Sequence, residues 1–319
     1  MSSILLRKIA YLGGMIFLIS LISFFAIHLA PNSFLSAGEL NPNITQETIE
    51  HLKKIYGLDK PLWEQYLSWL WAMMHLDFGV SFASGKPVIV EIKERLGVTL
   101  GINIVSMAII FGISFYLGIR SALKEGSWFD TVVRQLSLVS FSMPSFYLAL
   151  LLIIFLSVKL GLFPIAGLHS LEPKEGLAYY LDLAWHLVLP IFVVVFVGFG
   201  TLTQYIRSLT LDILKSDYIF FAKARGVEQK DIVTYFIIPN LKPPIITMLG
   251  LSLPGIIGGS VILESIFSIN GMGLLFYQAA LARDYPVIMG ILIITAFLTL
   301  LGNMLADLAL MRLNPYMRD

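Results

Sequence analysis

Cysteine and charged residues are what this sequence has least of. Asp, Glu, Lys and Arg make up 13% of its 319 residues, whereas about a quarter is usual for a soluble protein. Apolar residues make up 57%. The absence of cysteine excludes disulfides, thiol catalysis and cysteine-based metal sites, and a net charge of +1 gives no indication of nucleic-acid binding. The composition indicates a polytopic membrane protein.

Sequence patterns for catalysis and nucleotide binding are also missing. The chain has no P-loop, no H-E-x-x-H and no G-x-S-x-G. We therefore expect no catalytic residue and no cofactor bound by this chain. We also expect no metal site, because the histidines are scattered without ligand spacing, although imidazole suits nickel. The five are His28, His51, His75, His169 and His186.

Six stretches of 20 to 24 residues contain no Asp, Glu, Lys or Arg. They are residues 9–30, 99–119, 135–158, 187–206, 243–263 and 285–306. A helix of about 20 residues crosses the hydrocarbon core, and a spanning segment must bond its own backbone groups. The sequence therefore predicts an all-α polytopic membrane protein with six transmembrane helices. The first stretch is longer than the ~7–15 apolar residues of a signal peptide, so we interpret it as an uncleaved anchor.

Basic residues predict the orientation of these spans. With the amino terminus inside, the inner segments carry 13 Lys and Arg against 3 in the short outer loops, which places both termini in the cytoplasm. The chain then divides into an anchor helix (1–30), an external, periplasmic helical insert (31–98) and a five-helix core (99–319) with a cytoplasmic loop at 207–242. Within the insert we expect helices at 45–56, from 59–61 onward, and at 87–97.

The cytoplasmic loop contains small residues among charges. Ala222, Ala224 and Gly226 lie in the segment 217–231. Glycine reaches positive φ at no steric cost, so the pattern predicts two short helices joined by a glycine turn, a knob that another protein could bind. A solvated loop that simply follows the charge bias is the alternative.

Further motifs accompany this segment along the chain. They are residues 58–66, 77–81, 142–146, 264–273, 283–286 and 314–318. In order and spacing they resemble the dipeptide, oligopeptide and nickel subfamily of ABC-importer permeases, and segment 217–231 resembles the coupling loop that docks on the ATPase of such importers. Two departures stand out: Ile269 and Asn270 replace the usual Trp-Pro, and Pro239 replaces a usual arginine.

The resemblance implies a type I importer permease fold in the bacterial cytoplasmic (inner) membrane. It implies a second permease subunit as partner, a paralogue rather than a second copy, together with two ATPase subunits on the cytoplasmic face and an external substrate-binding protein. The lipid bilayer surrounds the chain, and no nucleic acid is involved. The residues it implies for ATPase coupling are Asp217, Tyr218, Ala222, Ala224, Arg225 and Gly226.

Two further groups of residues are candidates for a role in transport. An outer mouth or gate would comprise Glu264, Phe267, Gly271, Gly273, Arg283 and Asp284, with a structural salt-bridge cluster as the alternative. Polar residues in the second and fourth spans could line the substrate path, or could equally form hydrogen bonds between helices. These pathway candidates are Asn103, Ser106, Thr201 and Gln204.

The predicted function is the permease subunit of a binding-protein-dependent ABC importer. Residues 69–71 and 75–84 look most like the nickel and metal-chelate permeases, so we expect nickel or a metal complex as substrate, with dipeptides or oligopeptides as the alternative. A secondary transporter is a lesser alternative, because its usual intramembrane carboxylate is absent from the six stretches. An intramembrane enzyme would need a nucleophile–base or metal constellation, and none is evident.

Overall fold

Helices form nearly all of the regular structure in the computed structural model, which describes residues 2–29, 60–172 and 174–313. Within those ranges the β-structure is one isolated bridge between Val80 and Pro87, so the all-α prediction is confirmed. The helices are α1 (Ser2–Leu29), α2 (Leu62–Met74), α3 (Val88–Leu123), α4 (Trp128–Ser142), α5 (Ser145–Leu152, continued by the π-helical Ile153–Lys159), α6 (Leu177–Leu214), α7 (Asp217–Ala224), α8 (Gln229–Asp231, the π-helical Ile232–Ile237, then Ile238–Gly258), α9 (Val261–Ile266), α10 (Met272–Ala282) and α11 (Tyr285–Leu313).

The number of membrane-crossing helices differs from the six predicted. Four described helices are long and apolar enough to cross a membrane: Val88–Leu123, Leu177–Leu214, Gln229–Leu253 and Tyr285–Leu308. The bent pair α4–α5 makes a fifth if it counts as one span. Helix α1 contributes a shorter apolar stretch, Ala10–Phe25.

The third predicted span is not one straight helix. The axes of α4 and α5 differ by 100°, and the break falls at Met143 and Pro144. Met143 has φ −87° and ψ 119°, because a residue before proline is driven from the helical region by the proline ring. The prediction of a continuous helix over 135–158 was therefore wrong.

Several predicted helix ends also shift. The helix expected from 59–61 onward begins at Leu62, so Pro61 lies at the N-cap and not in the first turn. The separate helix predicted at 87–97 was wrong, because it continues without a break into α3. The fifth span was wrong at both ends, since α8 begins at Gln229 and ends at Gly258, before Gly259 with φ +67°. Some predictions fall outside the described residues and side chains. These are the helix at 45–56, the side chains of His28 and His51, and the motif at 314–318.

The chain divides into two structural units. The first comprises residues 1–99, 257–261 and 270–304. Its core contains Val88 and Ile92 of α3, Met272 and Leu275 of α10, and Val287 of α11. A smaller cluster joins α1 to α2 and α11 through Phe24, Tyr66 and Met289, in which the rings of Phe24 and Tyr66 lie 5.3 Å apart. The first unit thus anchors the described part of the insert on helices from both ends of the chain.

The second unit comprises residues 100–256, 262–269 and 305–319. Helix α4 packs along α6, and the two helices approach closely at Gly200, where an added Cβ would lie 2.6 Å from Oγ of Ser140. Gly118 of α3 is equally constrained, because a Cβ there would meet Ile206 at 2.8 Å. Small residues thus let α3, α4 and α6 approach one another closely.

Candidate functional site

Helix α7 is short and is tied directly to the end of α6. Lys215 and Ser216 form the link, and their amides donate to the carbonyls of Leu211 and Ile213, both at 3.1 Å. The carbonyl of Ser216 then accepts from the amides of Ile219 (3.1 Å) and Phe220 (3.2 Å). Asp217 lies in the first turn of α7, where a carboxylate interacts favourably with the helix dipole. These backbone hydrogen bonds connect the end of α6 directly to the start of α7.

Gly226 ends α7 in the left-handed conformation, with φ +78°. Its amide donates to the carbonyl of Lys223 (2.9 Å) and the amide of Val227 donates to that of Ala222 (3.1 Å), which together form a Schellman motif. An added Cβ at Gly226 would meet nothing within 4 Å. The backbone conformation, rather than packing within the chain, therefore requires glycine, and the predicted glycine turn is confirmed.

One face of α7 is buried in the protein. Ile219 is fully buried and Ala222 is 7% exposed. Ile219 packs in a cluster with Ile119 of α3, Ile206 of α6 and Ile237 of α8. The small size of Ala222 is thus used within the chain, on the side of α7 away from solvent.

The opposite face of α7 is exposed and largely aromatic. Tyr218 is 45% exposed, Phe220 69% and Phe221 61%, and Ala224, Arg225 and Gly226 are also exposed. We call these six residues the α7 outer face. Exposed apolar surface next to charged residues is typical of a binding surface.

The second short helix predicted after the glycine turn is not a separate element. Helix α8 begins at Gln229 and continues to Gly258. Its π-helical turn Ile232–Ile237 ends two residues before Pro239, where a regular helix would place the proline ring against the carbonyl four residues back. The loop therefore contains one short helix, α7, joined to the start of a long one.

A buried ion pair joins the start of α4 to the C-terminal part of α6, and sequence reasoning missed it. The two guanidinium nitrogens of Arg207, Nε and Nη2, donate to the carboxylate of Asp130 at 2.6 and 2.8 Å. The same carboxylate accepts from the hydroxyl of Ser121 and from the amide of Gly126 (3.0 Å). Asp130 is fully buried and the Arg207 side chain is 13% exposed.

A sequence signal for this pair exists at Asp130. Ser127 caps α4 by accepting from the amide of Asp130 at 3.2 Å, which is the Ser-x-x-acid pattern of a helix start. That pattern places Asp130 in the first turn of α4. It does not identify Arg207, 77 positions away, as the partner.

The predicted outer-mouth residues have distinct local roles. Asp284 is 2% exposed, and its carboxylate accepts from the hydroxyl of Ser81 (2.5 Å) and the amides of Phe82 and Ala83 (both 3.1 Å). Two motifs that are about 200 positions apart in the sequence therefore meet in the first unit. Arg283, just before Asp284, has a left-handed backbone with φ +55°.

The other outer-mouth candidates lie in helix ends and turns. Phe267 is 2% exposed, and its carbonyl accepts from the amide of Gly167 at 2.8 Å. Gly271 precedes α10, and its carbonyl accepts from Leu275 at 3.1 Å, while Gly273 is buried. Glu264 is also buried, but it belongs to the second unit and Arg283 to the first, so their grouping stays a prediction.

The pathway candidates divide between helix contacts and a groove. Asn103 donates to the carbonyl of Ile256 at 2.8 Å, a contact between helices, and Ser106 is fully buried. Thr201 and Gln204 line a groove of about 420 Å³ between α4 and α6. Asn103 and Thr201 also border a second cavity of about 280 Å³. The geometry of Asn103 fits the helix-contact alternative, and Thr201 and Gln204 remain candidates for the path.

The described residues contain no group of three or more His, Asp or Glu side chains that could hold a metal ion. His169 and His186 lie 3.5 and 3.9 Å from the carboxylate of Asp182, whose oxygens also contact Lys174 (2.7 Å) and Ser170 (2.6 Å). His75 Nδ1 lies 2.8 Å from the carbonyl of Trp71. These histidines have structural contacts that explain their positions.

Comparison with known proteins identifies the family. The model of the binding-protein-dependent transport system inner membrane component matches residues 114–319, and that of the N-terminal part of such membrane components matches residues 1–103.

Similar proteins match over nearly their whole length. The oligopeptide transport system permease protein AppB of Bacillus subtilis is 37% identical over 93% of both chains. A putative peptide transport system permease protein of Brucella abortus is 34% identical over 100% of this chain and 99% of its own. The dipeptide transport system permease protein DppB of Escherichia coli is 30% identical with the same coverage. The chain thus belongs to the binding-protein-dependent inner membrane component family: it is a multi-pass permease of an ABC importer, and the ATPase is a separate subunit.

Proposed function

We propose that this chain is the permease subunit of an importer for dipeptides or oligopeptides. The observation that carries the proposal is full-length similarity, at 30 to 37% identity, to permeases whose names state oligopeptide or dipeptide transport. These names favour peptides over the nickel or metal-chelate substrate expected from residues 75–84.

The α7 outer face is the proposed contact with the ATPase. Its exposed aromatic side chains Tyr218, Phe220 and Phe221 provide apolar area, and Ala224 and Gly226 leave room for a close approach. Arg225 adds a charge at the edge of this surface. A knob with an apolar centre and a charged rim has the composition expected of a specific protein interface.

Movement of α7 would be transmitted through its buried face. Ile219 packs among residues of α3, α6 and α8, and well-packed interiors transmit displacement rather than absorb it. The ion pair Asp130–Arg207 extends this connection from α6 to α4. A push on the α7 outer face would therefore reach the adjoining ends of four helices.

The proposed cycle follows from these contacts. ATP and magnesium stay on two partner ATPase subunits, which close on binding ATP and draw the α7 helices of the two permeases together. The path then opens outward to receive a peptide from an external binding protein, and hydrolysis restores the inward-facing state. A paralogous permease is the proposed second subunit, with both termini of this chain in the cytoplasm of a bacterium.

Deletion of the gene tests the substrate. We expect the deletion strain to lose growth on dipeptides as sole amino-acid source and to resist toxic peptides. Cellular nickel and nickel-enzyme activity should stay normal under metal limitation. Peptide use that is unchanged, combined with low nickel that excess nickel restores, would contradict the peptide proposal.

A further inference from the structure

The groove between α4 and α6 lies between two fixed points. At one end the helices touch at Gly200 and Ser140, where the amide of Gly200 donates to the serine hydroxyl at 3.2 Å. At the other end the ion pair Asp130–Arg207 holds them together. The groove of about 420 Å³ between these points falls in the usual size range of small-ligand sites, roughly 300–1,000 Å³.

Two neutral side chains of this groove have buried polar atoms without a hydrogen-bond partner. Its cation, Arg134, is exposed and makes no ion pair within the described residues. The amide Nε2 of Gln204 and the hydroxyl of Ser137 are buried and have no hydrogen-bond partner, and Ser137 is 1% exposed. An unsatisfied buried donor costs about 1–3 kcal/mol, and such groups call for an explanation, a bound ion among the usual ones.

The side chains that line the groove favour a negatively charged ligand. None of the described residues that line it is acidic, so it offers one cation together with neutral amide and hydroxyl groups. An arginine can hold a carboxylate through two parallel hydrogen bonds. Leu138 and Phe141, which are 58% and 70% exposed, provide apolar walls beside these donors. The positive charge of Arg134 would repel a metal cation.

The position of the groove indicates that it is covered by protein or water. Polar and ionisable side chains on membrane helices almost always face a bundle interior or a water-filled cavity, because exposure to lipid is costly. Helices α4 and α6 are both parts of apolar, span-forming segments. Gln135, Thr201 and Gln204 are therefore expected to face the second subunit or the transport path.

We propose that the α4–α6 groove is a carboxylate-binding station on the path, where Arg134, Gln204 and Ser137 hold the C-terminal carboxylate of a passing peptide. This rests on the proposed function. Every peptide, whatever its sequence, carries that one carboxylate, so a permease with many substrates can recognise it in all of them. The exposed Phe141 and Leu138 then contact the varied side chains without selecting among them.

Photo-crosslinking to the complex of two permeases and two ATPases tests this site. The binding protein is left out, so that its own recognition of peptides does not enter. The probe is a dipeptide of benzoylphenylalanine and alanine, and we expect crosslinks in α4 or α6. Dialanine should compete at least about tenfold better than dialanine amide, the ratio expected when one charged hydrogen bond is lost.

Variants at position 134 locate the effect. Arg134→Gln should abolish the preference for dialanine over its amide, and Arg134→Lys should retain part of it. Arg120→Gln is the matched control, because Arg120 is an exposed arginine on the neighbouring α3 and does not line the groove. Its preference should equal that of the wild type.

Several results would overturn the proposal. These are crosslinks only outside α4 and α6, no crosslink at all, equal competition by the amide, or Arg134→Gln behaving like Arg120→Gln. Competition by phosphatidylglycerol vesicles but not by dialanine would assign the groove to a lipid headgroup. If the deletion strain still loses peptide use in these cases, the groove assignment alone is wrong; if the strain loses nickel instead, the proposed function is wrong.

Discussion

Substitutions at Gly226 can distinguish a need for its backbone conformation from a role in the contact with the ATPase. Gly226→Asp should abolish co-purification of the ATPase and peptide uptake, while membrane insertion remains. Asp reaches the left-handed conformation more readily than most residues, and an added Cβ meets nothing within 4 Å in this chain, so α7 should still form. The loss comes from an unpaired charge buried against the partner, a penalty of about 3 kcal/mol or more.

Gly226→Asn is the matched control for this variant. Asn has the same shape and the same tolerance of positive φ but carries no charge, so we expect it to retain substantially more ATPase than Asp. Co-purification from detergent and uptake in intact cells measure both. If the Asp variant kept its full complement of ATPase, Gly226 would not lie in the docking surface.

Helix ends that depend on the local backbone could be predicted from the sequence. Gly226 ends a helix because glycine takes positive φ without strain, and this is found in the structure. A helix start near Pro61 was also predicted, and the helix begins one residue after it. The burial of Ala222 was not accessible in this way. A small residue on a short helix can face either a partner or the core, and only the packing of Ile219 beside it decides.

At the scale of elements, the ion pair Asp130–Arg207 should make α4 and α6 depend on each other. Asp130→Ala alone leaves Arg207 largely buried without its carboxylate, and we expect a loss of about 3 kcal/mol of stability. This is the lower end for buried pairs, because Arg207 is 13% exposed. The midpoint of thermal unfolding of the purified complex measures the effect.

Replacing both Asp130 and Arg207 distinguishes the effect of a buried unpaired charge from the effect of lost packing. In Asp130→Leu/Arg207→Met no buried charge remains, and such apolar replacements are often neutral, so the double variant should recover most of the midpoint. Uptake should recover less, if the pair also transmits the movement of α7. A double variant as unstable as Asp130→Ala would show that the hydrogen bonds to Ser121 and Gly126, rather than the ion pair, hold α4 in place.

Element boundaries and long-range contacts account for most of what the sequence could not predict. We expected a separate helix at 87–97, yet α3 runs from Val88 to Leu123 without a break. The contact of Asp284 with Ser81 spans 203 positions. Both motifs were visible in the sequence, but their meeting depends on how α3, α10 and α11 pack in the first unit.

At the scale of the whole molecule, the bend between α4 and α5 decides which side of the membrane each later loop faces. Each half has 15 residues, fewer than the roughly 20 needed to cross alone. A broken span would place Trp128 and Leu171 on opposite sides, whereas a re-entrant hairpin would place them on the same side. The segments 120–134 and 207–242 are both rich in basic residues and are both expected on the inner side. Because α6 crosses the membrane between them, the α4–α5 segment must cross as well.

Cysteine labelling distinguishes these topologies, and the chain has no native cysteine to interfere. We expect Leu171→Cys to react with an impermeant maleimide in intact cells, because this side chain is fully exposed in the predicted outer loop. Trp128→Cys, at a position 80% exposed, and Gln229→Cys should react only after the membrane is permeabilised. Labelling of Trp128→Cys and Leu171→Cys from the same side would make α4–α5 a re-entrant hairpin. Labelling of Gln229→Cys in intact cells would place α7 outside, where no ATPase could reach it, and would exclude the proposed coupling role.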